Sequence, residues 1–488
     1  MTAALILVPL LAGVAAFFVR SHLVRRALLV GTALAHAGLT AAAIALRPGP
    51  VLDGWLWLDP PGLVFLAIAS LLFLAASAYA VGYLAHESVE GRRDFAEGFL
   101  FANEPEAVFT GCLLLFLASM TLVTASQHFG ILWVAVEATT LASAPLIYFH
   151  RHHRSLEATW KYLLICSVGI ALALLGNFAL AAAATFEGDL RIALTVTELR
   201  AHGSDLHVQL LVAAFLFFLV GYGTKMGLAP LHTWLPDAHS ESPSLVSALL
   251  SGALLNCAFL AILRAYQVCV AAELEAFAQD LLAGFGLLSM AVAAAFIIGQ
   301  TDYKRMLAYS SVEHMGILAL GVGLGGAGLF GSMLHAVNHS LTKACLFLAA
   351  GNILAVYQTK AAGEVRGLGR ALPVTGGLWL AGFLAITGAP PFGPFLSEFT
   401  ILKAALDQGK VFAAVAYLVM LALIFIGMSA VVLRMVQGTP TKPTEAVEPL
   451  WSVAPSLALC GLVLLLGLYV PPALNVLLQE AAHALGGN

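Results

Sequence analysis

Long apolar segments constrain the fold of this chain more than any other feature. A membrane-spanning helix needs about 20 apolar residues, and fourteen segments of roughly that length recur along the 488 residues. They lie near 3–19, 27–46, 62–84, 107–125, 129–149, 160–184, 209–235, 243–263, 281–299, 306–325, 328–356, 374–405, 412–436 and 453–470. Only 10% of the residues are charged, against roughly 25% in soluble domains. The sequence predicts an all-α polytopic membrane protein, and its net charge of −4 argues against a nucleic-acid partner.

The basic residues predict how the segments are oriented. The first apolar run precedes Arg20, Arg25 and Arg26 and has no positive charge before it, which favours a first transmembrane helix over a cleaved signal peptide. With the N-terminus outside, 15 Lys and Arg fall in inside segments and six in outside segments, as the positive-inside rule requires. The six are Arg47, Arg191, Arg200, Arg264, Lys403 and Lys410. Both termini are predicted outside, and the tail near 473–485 is predicted as an interfacial amphipathic helix.

Four ionisable residues stand inside apolar segments: Glu137, Lys225, Lys343 and Glu398. Each costs roughly 2.5–3.5 kcal/mol in a membrane, and such groups usually mark an ion or proton path. The alternative is a set of paired ions that fix helix contacts. Buried Lys and Glu can both approach neutrality, and a nearby opposite charge restores the charged form. A Glu137–Lys225 pair could therefore gate proton transfer.

A histidine stripe accompanies these charges. His335, His339 and Lys343 repeat every four residues, so they face nearly one side of a helix. Each step rises about 6 Å, which suits proton transfer through intervening water. Two alternatives stay open: a polar packing face, and a haem or metal site, for which the sequence shows no third ligand. The six cysteines stand singly, which argues against iron–sulfur, structural zinc and disulfides. The sequence predicts no cofactor and no metal.

Two segments are predicted to be broken helices. The seventh contains Pro230, and the twelfth contains Pro390 and Pro391. Both exceed the length needed to cross a membrane, and each carries a charge near the proline. Interrupted helices in corresponding positions are typical of inverted-repeat transporters. Simple proline kinks in long tilted helices are the alternative.

Two long motifs resemble a known family. The segments Tyr222-Gly-Thr-Lys-Met-Gly-Leu-Ala-Pro-Leu-His-Thr-Trp-Leu-Pro-Asp-Ala-His239 and Asp302-Tyr-Lys-Arg-Met-Leu-Ala-Tyr-Ser-Ser-Val-Glu-His-Met-Gly316 resemble signatures of the proton-conducting, antiporter-like membrane subunits. These subunits occur in respiratory complex I, Mrp antiporters and group 4 hydrogenases. Within the family, Ser311-Val-Glu-His-Met-Gly316 and Asn103-Glu-Pro-Glu106 resemble the component-F subunit of hydrogenase-4.

The resemblance implies a fourteen-helix core with two inverted five-helix repeats, helices 4–8 and 9–13. The predicted units are 1–106 (helices 1–3 and an inside loop), 107–263 and 281–436 (the two half-channels) and 437–488 (helix 14 and the tail). Glu137 and Lys225 would act in the first half-channel, Lys343 as central relay and Glu398 as terminal charge. One departure concerns the eighth helix, where relatives often carry Lys or His and this chain has Asn256 and Ser251.

Together these features predict a proton-translocating subunit of a redox-driven respiratory or hydrogenase complex in a prokaryotic plasma membrane. It would lack its own redox site and work with other membrane subunits and a peripheral redox arm. The predicted relay residues are Glu137, Lys225, His232, His239, His335, His339, Lys343 and Glu398. The alternatives are an Mrp-type sodium/proton antiporter subunit, a carrier of an organic solute, and a structural anchor that has lost pumping, for which Asn256 is the best support.

Overall fold

Helices dominate the computed structural model, which describes residues 1–87, 92–93, 98, 100–185, 192–440 and 447–486. The α-helices are α1 (Thr2–Phe18), α2 (His22–Leu46), α3 (Pro60–His86), α4 (Glu106–Ala125), α5 (Phe129–Ile147), α6 (His153–Ala183), α7 (Val196–Ala201), α8 (Val208–Met226), α9 (Leu235–Glu241), α10 (Ser244–Leu249), α11 (Leu255–Ala271), α12 (Glu275–Ile297), α13 (Tyr303–Leu324), α14 (Ala327–Tyr357), α15 (Leu368–Ala371), α16 (Pro373–Ile386), α17 (Gly393–Asp407), α18 (Val411–Val436), α19 (Leu450–Leu468) and α20 (Pro472–Ala484). A π-helical turn (Leu250–Leu254) joins α10 to α11, and short 3-10 turns span Gly203–Asp205 and Ala362–Glu364. Two short antiparallel strands, β1 (Arg92–Arg93) and β2 (Leu100–Phe101), complete the fold.

Each of the fourteen predicted segments coincides with a helix or a pair of helices. Within the described residues, twelve helical stretches are long and apolar enough to cross a membrane. The other two predicted segments are α1, a shorter apolar helix of 17 residues, and the interrupted twelfth segment, whose first part is α16. The protein is therefore an all-α, multi-pass membrane protein, as predicted. The predicted tail helix is α20, which packs Leu477, Leu478, Ala481 and Ala482 inward.

Both predicted breaks are present. The seventh segment is divided into α8 and α9 by residues 227–234, and Gly227 ends α8 with a φ of 82°, a conformation that glycine adopts without a steric penalty. The twelfth is divided into α16 and α17 by residues 387–392. Pro230 and Pro391 each follow a cis peptide bond in these breaks. The breaks expose backbone groups at membrane depth, which is tolerated only where protein or a water cavity surrounds them.

The predicted end of the eighth span, just before Arg264, was wrong. Arg264 was counted in an outside segment because the eighth span was ended at residue 263, whereas the helix continues to Ala271. Arg264 is completely buried, and its guanidinium donates to both carboxylate oxygens of Asp59. Asp59 also caps α3 by accepting from the Gly62 N–H at 3.0 Å. A charged side chain such as Arg264 can thus lie inside a long apolar helix when a buried ion-pair partner is present. Arg191 and Lys442, which also entered the topology prediction, lie outside the described residues.

Replacing Arg264 with Met is expected to destabilise the chain by about 3–5 kcal/mol, because it leaves the Asp59 carboxylate buried without its partner. Thermal unfolding of the detergent-solubilised protein measures this effect. The double variant Arg264→Met with Asp59→Asn is the matched control, since Asn can keep the α3 cap without a charge. It should recover much of the lost stability. Equal melting temperatures for the parent and the single variant would contradict the assignment.

Candidate functional site: a buried series of ionisable groups

Lys225 is the centre of the first cluster. It lies in the last turn of α8, immediately before the break, and is fully buried. Its ammonium Nζ donates to Thr140 Oγ1 at 2.8 Å and to the Tyr162 hydroxyl at 2.5 Å. Tyr162 in turn lies 2.7 Å from Ser143 Oγ. The lysine is therefore held by hydroxyl groups from α5 and α6.

Glu137 joins this cluster through one hydroxyl. Thr140 Oγ1 donates to Glu137 Oε2 at 3.1 Å while it accepts from Lys225. Ser167 on α6 donates to the other carboxylate oxygen, Oε1, at 3.2 Å. The helices therefore do bring the predicted pair together, but the described contact is indirect. Such a carboxylate–hydroxyl–ammonium chain can pass a proton if the hydroxyl rotates.

His232 and His239 follow the break after Lys225. His239 lies on α9, is fully buried, and neither ring nitrogen forms a hydrogen bond with the described residues. His232 Nδ1 is buried and likewise makes no hydrogen bond within the described part of the chain. The His239 carbonyl accepts from Ser247 Oγ at 2.8 Å, and Ser247 lies 2.9 Å from Ser242. Buried imidazoles without partners need a ligand, a proton exchange partner or water.

A cavity of about 670 Å³ lies next to this region. Its described lining includes Ser242, Lys304 and Lys360. Lys304 Nζ donates to the Ser242 carbonyl at 2.7 Å, and Lys360 forms a 2.6 Å ion pair with Glu241. Ser242 and Ser247 thus join the cavity wall to the main-chain carbonyl of His239, and this proximity makes the cavity a candidate aqueous entrance.

The eighth span connects the two halves with neutral polar groups. Asn256 Nδ2 donates to the Gly252 carbonyl at 2.8 Å and to Ser340 Oγ at 2.7 Å. Ser251, inside the π-helical turn, lies 2.7 Å from Ser311 on α13. Asn256 and Ser251 are thus both buried and hydrogen-bonded at this position. These side chains can order water or hydroxyl groups, but none of them carries a charge.

Three imidazoles form the second cluster. His335 and His339 lie on one face of α14, with ring centroids 6.4 Å apart. His314 on α13 lies 5.1 Å from each of those rings, and its Nδ1 is 2.9 Å from His335 Nε2. The gap along the predicted stripe is therefore filled by a third histidine from a neighbouring helix. Lys343, one turn beyond His339, donates to the Leu307 carbonyl at 2.8 Å.

Glu398 closes this cluster on the α17 side. Its carboxyl group is buried, packs against Gly388 in the break, and leaves Oε1 without a hydrogen bond among the described residues. A side chain at Gly388 would collide with that carboxylate. The preceding residue, Ser397, lies 2.9 Å from His335 Nδ1. Pro390 and Pro391 belong to the same break, so the interrupted backbone surrounds the acid.

Sequence reasoning missed several members of these clusters. Glu313 and His314 stand in one of the quoted motifs, yet neither was assigned a role. Glu313 is buried, accepts from Ser310 at 3.3 Å, and lies 3.8 Å from His314 Nε2. Both are ionisable residues within the predicted tenth span, which is the same signal that identified Glu137. Thr140, Tyr162 and Ser397 carry no such signal, because uncharged residues are common in apolar helices.

The interrupted helices and the buried series of Glu, Lys and His define a polytopic, antiporter-like membrane protein. Comparison with known families matches residues 126–420 to "NADH:quinone oxidoreductase/Mrp antiporter, TM". The chain is 36% identical to a hydrogenase-4 component F homolog of Methylacidiphilum infernorum, over 85% of this chain and 87% of that protein. It belongs to this family of antiporter-like membrane subunits.

Solved structures show the same fold. A chain of the membrane-bound sulfane sulfur reductase, an archaeal respiratory membrane complex, superposes with a TM-score of 0.86 at 21% identity, covering 100% of this chain and 98% of that one. A chain of the Mrp complex from Dietzia sp. DQ12-45-1b gives a TM-score of 0.84 at 23% identity, covering 99% and 97%. These likenesses confirm the predicted fold class.

Proposed function

We propose that this chain translocates protons as a membrane subunit of a redox-driven respiratory or hydrogenase complex in a prokaryotic plasma membrane, with both termini outside. The redox chemistry belongs to a peripheral arm and other subunits. The observation that carries the proposal is the hydrogen-bonded contact of buried Lys225 with Thr140, which also bonds Glu137. If Glu137 and Lys225 only fixed the positions of their helices, a direct ion pair would be enough, and the intervening Thr140 hydroxyl would not be needed.

In this mechanism Lys225 alternates between protonated and neutral states. Thr140 and Tyr162 hold the ammonium form through their oxygen atoms, and Glu137 stabilises its charge through Thr140. His232 and His239 exchange protons with the aqueous entrance. The units 107–263 and 281–436 act as two half-channels in inverted repeats.

The second half-channel uses a denser group of titratable side chains. His335, His339 and His314 pass protons between Lys343 and Glu398, aided by Glu313. Neutral imidazole both donates and accepts a proton, so a cluster of rings about 5 Å apart can conduct through ring rotation or a single water. Ser251 and Asn256 order the hydrogen-bonded connection between the halves.

Mrp-type sodium/proton antiport is the second candidate function, because the fold also resembles that of a chain of an Mrp complex. The buried, unpartnered Glu398 Oε1 offers an oxygen of the kind that Na⁺ prefers.

Proteoliposomes that contain the whole complex separate these functions. With the native electron donor and acceptor of the complex, a pH-sensitive dye inside the vesicles should report proton movement in sodium-free buffer. Addition of Na⁺ should not change the initial rate. Proton movement that requires Na⁺, or ²²Na⁺ uptake coupled to it, would establish the antiporter function instead. Redox turnover without any proton movement would support the structural anchor.

A further inference from the structure

The cluster of His314, His335 and Glu398 has the composition of a metal site. One potential ligand atom from each residue lies within 4.8 Å of the other two. The three side chains come from α13, α14 and α17, which explains why the sequence showed no third ligand beside the histidine pair. In a tetrahedral site with metal–nitrogen distances of about 2.0–2.1 Å, neighbouring ligand atoms stand about 3.4 Å apart. The 4.8 Å limit is longer than this spacing and the 2.9 Å contact between His314 Nδ1 and His335 Nε2 is shorter, so the side chains must adjust around an ion.

The hydrogen bonding of the cluster leaves two ligand atoms open for a metal and orients a third ring. His335 Nδ1 lies 2.9 Å from Ser397 Oγ, which leaves Nε2 directed at His314 Nδ1, 2.9 Å away. A second hydrogen-bond partner on the remote ring nitrogen is the arrangement that orients metal-binding histidines. Glu398 Oε1 and His314 Nε2 are buried and form no hydrogen bond with described residues. These two atoms can turn to an ion without losing a described hydrogen bond, whereas His335 Nε2 must exchange its 2.9 Å contact with His314 Nδ1 for the metal.

We propose that His314, His335 and Glu398 bind a divalent transition-metal ion of the Zn²⁺ type. Two imidazoles and one carboxylate form a ligand set that zinc sites use, whereas Mg²⁺ and Ca²⁺ prefer oxygen ligands alone. His339, whose two ring nitrogens make no hydrogen bond with described residues, lies beside His314 with the ring centroids 5.1 Å apart, but it is not one of the three ligands. The ligands are almost completely buried, so binding is slow and its rate depends on opening around α17.

Bound metal has a consequence for transport that rests on the proposed function. The ion occupies the lone pairs through which His314 and His335 would exchange protons. Zinc therefore inhibits proton translocation after preincubation, and a chelator restores it. Mg²⁺ at the same concentration has no such effect.

Direct measurement of bound zinc tests the site. The purified whole complex is incubated with Zn²⁺, separated from free metal, and analysed for zinc content and by zinc-edge X-ray absorption. The parent complex should retain one more zinc per complex than the His314→Gln variant and the Glu398→Gln variant, with imidazole scattering in the spectrum. His36→Gln is the matched control. It changes a buried histidine on α2 that contacts Ser70 and Thr121, and it should leave zinc retention unchanged.

The outcomes distinguish the site from the transport mechanism. Equal zinc retention by the parent and both site variants would overturn the proposal, as would loss of the same zinc in the His36→Gln variant. If one site variant fails to assemble, the other still decides. Retention at the site together with undiminished proton translocation would confirm metal binding but count against the proposed role of His335 in proton transfer.

Discussion

Replacing Lys225 with Met is expected to lower coupled proton translocation by about 100-fold or more, the usual contribution of a group that transfers protons. Met has nearly the same shape as Lys but cannot carry a proton. The substitution leaves Thr140 and Tyr162 able to bond each other or Ser143, so the helices should still assemble. The initial rate of acidification or alkalinisation in proteoliposomes, normalised to redox turnover, measures the loss.

Lys403→Met is the matched control for this experiment. Lys403 lies on α17 and forms an exposed ion pair with Asp407, at 2.6 Å, four residues away. Such pairs contribute about 0.3–0.5 kcal/mol, and this one is remote from the buried hydrogen bonds of Lys225. The control should translocate protons at the parental rate. If the Lys225 variant also did so, Lys225 would not belong to the proton path.

Replacing Lys343 with Met is also expected to lower coupled proton translocation by about 100-fold or more. The Asn256→Ala variant should retain most of the parental rate. Lys343 is fully buried between the imidazole cluster and the Leu307 carbonyl. It is the only buried lysine of α14 in the described structure, so Met at this position leaves that helix without a buried ammonium group. Asn256 only donates hydrogen bonds to Gly252 and Ser340. Water can replace such a donor at modest cost.

The comparison of these two variants decides between a pump and a structural anchor. Loss with Lys343→Met and retention with Asn256→Ala would show that protons cross the chain between its halves although Ser251 and Asn256, the polar side chains at that connection, carry no charge. Equal activity of both variants and the parent would mean that the measured protons move through another subunit. The same vesicle assay measures both variants, with complex assembly checked by gel filtration.

The apolar pattern was sufficient to predict the fold class, because a long apolar segment has few alternatives to a membrane helix. Charge within such a segment identified Lys225, Lys343 and Glu398 for the same reason. Helix ends were predicted less well. Arg264 was assigned to an outside segment because a sequence cannot show that Asp59, 205 residues earlier, lies beside it.

The members of the site that escaped prediction depend on tertiary contacts. Tyr162 and Thr140 are ordinary residues of apolar helices until α5, α6 and α8 meet around Lys225. His314 completes the imidazole cluster only because α13 packs against α14. The prediction of no metal rested on the missing third ligand beside the histidine pair, and the metal site proposed above takes its ligands from three helices that sequence spacing does not bring together.

Glu137 lies near the middle of α5 and is only half buried. On the same helical face, Val134 is 53% exposed and Leu141 is 62% exposed. The first cluster therefore reaches the lateral surface of the chain, where a lone copy would present a carboxyl group to lipid hydrocarbon at a cost of roughly 2.5–3.5 kcal/mol. A neighbour that covers this surface removes the cost. A copy whose α5 surface is left uncovered is therefore expected to be less stable than one in which that surface is covered.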